Sequence, residues 1–80
     1  MERAAVRAEL EALFARVLAD PDLALDDTMA TGGHPSWNSI ANVEILIGCE
    51  EIWGFEFGSG EIDRIRTFGD LVDAVTAKLG

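Results

Sequence analysis

Apolar positions along the chain fall into three stretches of helical period, separated by two irregular ones. In the first, Val6, Leu10, Leu13, Phe14 and Val17 recur at helical spacing, with Glu2, Arg3, Arg7, Glu9, Glu11 and Arg16 between them. That spacing predicts an amphipathic helix over residues 2–19. Asp20-Pro21 should end it, because the residue before a proline is pushed out of helical backbone. From 20 to 38 no period persists. A loop this long is unusual in a small domain and is often functional; Leu23, Leu25 and Met29 are the residues that could pin it across a core.

The second stretch predicts a helix from Ser39 to Trp53, with Gly54 just past its end as a left-handed terminator. Ile40, Val43, Ile45, Leu46, Ile47, Cys49, Ile52 and Trp53 make it apolar nearly all round, and a helix so patterned is expected to be mostly buried. Its polar stripe is narrow. Glu44, Gly48 and Glu51 fall at i, i+4 and i+7 with Ala41 ahead of them, and Glu50 sits apart. A glycine in a helix interior costs about 1 kcal/mol relative to alanine, so Gly48 points either to close packing or to the close approach of a partner.

Phe55 and Phe57 alternate with Glu56, but no second strand exists to pair with them. They read as an extended loop whose rings plug the core, followed by a short helical turn over 61–65. The last helix opens at Thr67, with Asp70 three residues on in a near capping box. Phe68, Leu71, Val72, Val75 and Leu79 form its apolar face. The fold class is therefore all-α, a small three- to four-helix bundle with a long first loop, as one domain over residues 1–80.

Size and charge narrow the role. A chain of 80 residues supports one modest core. Cys49 is its only cysteine, so no disulfide forms within it. A lone thiol, with no secretory leader pattern ahead of the first helix, suggests a cytoplasmic setting. Fifteen acids against six bases give a formal net charge of −9. Between Arg16 and Arg64 there is no Lys or Arg, while ten Asp and Glu fall there. Nucleic acid and anionic membrane surfaces need a basic footprint and are poor partners. The acids either confer solubility alone or steer the chain toward a basic protein partner.

Candidate chemistry is sparse. "DPDLALDDT" fails as a calcium loop, because Leu25 stands at the glycine position and Thr31 at the closing glutamate position. No Cys/His cluster supports a metal. A Ser39 or Cys49 nucleophile would depend on His34, the only histidine, and the G-x-S-x-G elbow is absent. No catalytic residue is assigned, and the chain is read as a non-enzyme. Asn38 or Ser39 could each cap the second helix. The same helix terminus offers free N–H groups and positive partial charge, a place where a serine could carry a phosphodiester.

"WNSIANVEILIGCEEIWGFEF" resembles the carrier motif of acyl carrier proteins and their peptidyl carrier relatives. That family has an Asp-Ser-Leu triplet, a helix with a Val-Glu pair, an acidic pair, then an aromatic and a short extended tail. Here these positions hold Asn38-Ser39-Ile40, Val43-Glu44 and Glu50-Glu51. "IDRIRTFGDLVDAV" is similar to the family's short third helix and Thr-capped fourth. The resemblance runs from the first helix to Leu79 and implies an acyl-carrier-type bundle.

It further implies that Ser39 carries a 4'-phosphopantetheine arm, attached from coenzyme A by a phosphopantetheinyl transferase. The arm would hold an acyl or aminoacyl group as a thioester. The monomeric protein would present it to acyltransferase, ligase or synthase partners with basic docking surfaces, through Ile40, Glu44, Glu50 and Glu51. Apolar cargo can fold back between the helices of such proteins, here on the Ile40, Val43, Ile47 side. Trp37 reads as a lid on the loop. The main departure is Asn38, where the family usually has Asp. It keeps open a second reading, an unmodified acidic helical adaptor that docks on basic proteins. "GGHPS" is similar to the Gly-Gly-His-Ser of peptidyl carriers, but Ser36 lacks the Val-Glu spacing that Ser39 has.

Overall fold

A computed structural model describes all 80 residues. Its helices are α1 (Arg3–Val17), α2 (Ser39–Trp53), α3 (Ser59–Arg64) and α4 (Phe68–Leu79). The first helix packs on both long partners, α2 and α4. Val6, Leu10, Leu13 and Phe14 bury its predicted face, against Ala41, Ile45 and Cys49 of α2 and Phe68, Leu71, Val72 and Val75 of α4. Phe14 ties the elements together: its ring meets Trp37 edge-on at 5.0 Å and Phe68 at 5.2 Å. Edge-to-face contacts of this kind add to the burial of their area.

The end of α1 differs from the expectation built on Pro21. The helix stops at Val17, and Ala19 takes left-handed backbone with φ 53°. Its N–H donates to the Arg16 carbonyl, and that of Asp20 to the Ala15 carbonyl. This is the paired pattern that usually recruits glycine at the Ala19 position. The α3 helix also begins two residues earlier than predicted, because Glu61 Oε1 accepts the Gly58 N–H at 2.9 Å and organises the turn ahead of it. The box at α4 forms as read: Asp70 N–H donates to Thr67 Oγ1, and Thr67 N–H to Asp70 Oδ2.

The long loop is fastened rather than loose. Leu25 is buried, with Leu23 and Met29 packed against the core. Phe68 and Gly69 donate their N–H groups to the carbonyls of Met29 and Asp27, so loop backbone caps the start of α4. A Cβ on Gly69 would lie 2.9 Å from the Asp27 oxygen, which is why only glycine permits this approach. Arg3 and Arg7 grip the Asp27 carboxylate, and Arg7 also donates to the Leu25 carbonyl.

The largest departure concerns α2. Its apolar residues do not bury it on all sides. Ala41, Ile45 and Cys49 face inward, while Ile40, Val43, Ile47 and Ile52 are exposed. The expected polar stripe is broken as well, since Ala41 is buried and Gly48 meets Leu13. A uniformly apolar helix carries no moment to say which side faces the core. That choice comes from the two helices and the loop, which can cover only one side of it.

Candidate functional site

Asn38, not Ser39, caps α2. Its backbone is extended, and its Oδ1 accepts the Ala41 N–H at 2.9 Å. Its carbonyl accepts the Asn42 N–H at 2.9 Å. Ser39 is thus the first helical residue, exposed, with a hydroxyl that enters no hydrogen bond. The Ser39 and Ile40 amides also have no acceptor in the chain. A free hydroxyl therefore stands beside two free N–H donors at the positive end of a 15-residue helix, a combination suited to an anionic substituent. Ser36 lacks that setting: its amide donates to His34 Nδ1 and its carbonyl accepts the Asn38 N–H.

The turn that leads to Ser39 is held from both sides. Trp37 is a core residue and not a lid. It is buried against Phe14, and its Nε1 donates to Asn42 Oδ1 at 3.2 Å. His34 uses both ring nitrogens. Nδ1 accepts the Ser36 N–H at 3.1 Å, so Nε2 carries the proton and donates to Asp20 Oδ2 at 2.9 Å. That bond, ahead of the Asp22 N–H on the other oxygen, holds the Asp20 carboxyl below the usual carboxylate range. A histidine so engaged is not a general base for Ser39. Cys49 is fully buried, and desolvation pushes its thiol up to about 12, so it is a packing residue rather than a nucleophile.

Ile40, Val43, Glu44, Ile47 and Glu51 share one solvent-facing arc of about 100° on α2 at 3.6 residues per turn. Ile40 is 72% exposed and Val43 55%. No ion pair involves Glu44 or Glu51, whereas Arg3, Arg7 and Lys78 are paired with acids elsewhere. Glu50 lies off this arc. It is half-buried, and its Oε2 accepts the Phe57 N–H at 2.9 Å, tying the loop after α2 back onto the helix. Sequence spacing put Glu50 beside Glu51 but could not show that the chain itself claims its carboxylate.

The side anticipated for folded-back cargo faces solvent, with no cavity behind it. The one surface pocket, about 460 Å³, lies between α3 and α4 and is lined by Glu61, Arg64, Ile65 and Lys78 among others. Phe55 and Phe57 stack edge-on beside it with Lys78 over both rings. No helix is long and apolar enough to cross a membrane.

No protein-family model matches the sequence. Among solved structures, the chain is similar to the solution NMR structure of holo acyl carrier protein from Geobacter metallireducens. The TM-score is 0.85 at 24% identity, over 92% of this chain and 85% of that one. The chain has the acyl carrier protein fold.

Proposed function

We propose that this protein is a carrier, with a 4'-phosphopantetheine arm on Ser39. The observation that carries the reading is the local chemistry of Ser39: an exposed, unbonded hydroxyl beside the free Ser39 and Ile40 amides, capped from behind by Asn38. A separate phosphopantetheinyl transferase runs the attachment. Ser39 Oγ forms the new bond to the β-phosphorus of coenzyme A as the bond to 3',5'-ADP breaks, and the serine proton leaves to a base on the transferase. The residues present fit the product. A phosphodiester on Oγ meets the helix dipole, whose interaction with an anion is worth about 0.3–1 kcal/mol at an exposed site. Asn38 supplies the cap without placing a second negative charge beside it.

The arm's terminal thiol supplies thioester chemistry for an acyl or aminoacyl group. Everything else falls to the chain. The exposed arc of α2 offers three branched apolar side chains, Ile40, Val43 and Ile47, with two unpaired carboxylates, Glu44 and Glu51, along one flank of them. That surface suits a shallow apolar depression flanked by Lys or Arg on a transferase, acyltransferase, ligase or synthase. Glu50 acts one step back, by fixing the loop at Phe57. The fold match supports this reading through a solved relative in fold that is itself a holo carrier. Incubation with coenzyme A and a broad-specificity transferase tests it. One phosphopantetheine should add to the wild type and to Ser36→Ala, and none to Ser39→Ala. Loss of the adduct in Ser36→Ala with retention in Ser39→Ala would place the arm on the wrong serine.

A further inference from the structure

The segment between α1 and α2 has one polar tie that joins its two ends. Asp20 lies three residues past the end of α1, and His34 five residues ahead of Ser39. The His34 ring bridges them: Nε2–H donates to Asp20 Oδ2 at 2.9 Å, and Nδ1 accepts the Ser36 N–H at 3.1 Å. Asp20 Oδ1 in turn accepts the Asp22 N–H at 3.1 Å. The ring is largely shielded, with 17% of its side chain exposed. Around it the turn is closed by Trp37 N–H to the His34 carbonyl, Asn38 N–H to the Ser36 carbonyl and Gly32 N–H to the Trp37 carbonyl. Trp37 anchors this turn by packing, and His34 is the residue that anchors it by hydrogen bonding to a distant part of the chain.

Resting on the carrier reading above, we propose that His34 and Asp20 form a strap that positions Ser39 for the enzyme that modifies it. The strap holds the turn of residues 34–38 in the one arrangement that starts α2 at Ser39. Without it the turn samples other arrangements, and the apparent affinity of the transferase falls by the fraction that remains competent. The reacting atoms are untouched, so turnover at saturation is preserved. The strap requires the neutral ring with its proton on Nε2, because a proton on Nδ1 would oppose the Ser36 N–H.

Three variants separate the parts. Asp20→Ala removes the far anchor. His34→Phe keeps a ring and removes both bonds. His34→Asn keeps an acceptor suited to the N–H two residues on but is too short to reach Asp20. In steady-state transfer from coenzyme A, the KM for the carrier should rise about 2- to 10-fold in Asp20→Ala, the range of one lost hydrogen bond, and at least as much in His34→Phe, which loses two. Turnover at saturation should be preserved. His34→Asn should group with Asp20→Ala, and the double variant Asp20→Ala/His34→Phe should be no worse than the worse single one, because the two residues act as a unit.

An unchanged KM in the variants, or additive effects in the double variant, would overturn the proposal. So would a wild-type imidazole that nitrogen NMR shows protonated on Nδ1 alone, a measurement that does not depend on any variant folding. Should the wild type accept no phosphopantetheine, the carrier reading fails by itself. The strap is then judged by amide exchange at Ser36 to Asn38. Exchange about 2- to 10-fold faster in Asp20→Ala upholds the strap, and unchanged exchange refutes it.

Discussion

Gly48 sits in the interior of α2, where alanine is intrinsically favoured by about 0.8–1.0 kcal/mol. The structure opposes that preference. A Cβ at this position would lie 2.8 Å from Leu13 Cδ1 and 3.2 Å from Cδ2, well inside the ~3.5–4.0 Å of an ordinary carbon contact. Leu13 is only 2% exposed, so its methyls cannot swing into solvent and must push into the α1–α2 seam. Overpacking of this kind costs about 1–3 kcal/mol. Subtracting the propensity gain leaves Gly48→Ala destabilising by about 1 kcal/mol, a fall of roughly 4–8 °C in Tm for a domain of this size. Urea and thermal unfolding of the two proteins measure it. Leu13→Ala alone should cost about 2–5 kcal/mol. On that background the Gly48→Ala change should turn favourable by nearly its propensity gain, a coupling of about 2 kcal/mol. A rise in Tm for the single variant, or additivity in the cycle, would refute the packing account. A raised Tm with weakened partner binding would assign Gly48 to partner approach instead.

Three further outcomes follow from other parts of the molecule. Ala19 occupies left-handed backbone, which costs a non-glycine residue about 1–2 kcal/mol. Set against the extra chain entropy of glycine, Ala19→Gly should still stabilise by about 0.5–1 kcal/mol, and an unchanged or lowered urea midpoint would contradict this. Glu44→Lys with Glu51→Lys should weaken transferase association at low salt without altering the fold, and the loss should shrink as exposed charges are screened; equal affinity at low salt would remove the α2 arc as the docking face. The Asp27 carboxyl is held low by Arg3 and then Arg7, Glu61 by Lys78, and Asp70 by the Arg66 and Thr67 amides. Each therefore binds its proton more readily unfolded than folded. Their contribution is complete above the ordinary carboxylate value of about 4 and is lost as pH falls through the lower folded values. A urea midpoint that stays flat from about pH 4 to 2.5 would contradict this assignment.

The helices were legible because their signals are local. Apolar spacing marked α1, the Thr67 and Asp70 box marked the start of α4, and Gly54 marked the end of α2 with φ 72°. What escaped depends on contacts distant in sequence. Trp37 read as a lid because nothing near it in the chain reveals that Phe14 receives its ring. Ile40, Val43 and Ile47 belong to a helix that reads as mostly buried because apolarity alone does not choose a face, and only the placement of α1 and α4 leaves them outside. The first-turn cap stayed open between Asn38 and Ser39, since either side chain can cap. Asn38 takes the bond to Ala41, and that leaves the serine hydroxyl free. Glu50 and Glu51 are neighbours in sequence but diverge around the helix, one toward Phe57 and the other toward solvent. The tie between Asp20 and His34 spans 14 positions and has no local signature at all.

We propose that Ser39 carries a phosphopantetheine arm in the cell. The intact mass of the protein purified from its own host, followed by fragmentation of the peptide that spans residues 32–44, tests this most directly. The expected result is a chain bearing one phosphopantetheine, free or acylated, with the modified fragment mapping to Ser39. A uniformly unmodified chain, or an adduct mapping to Ser36, would contradict it.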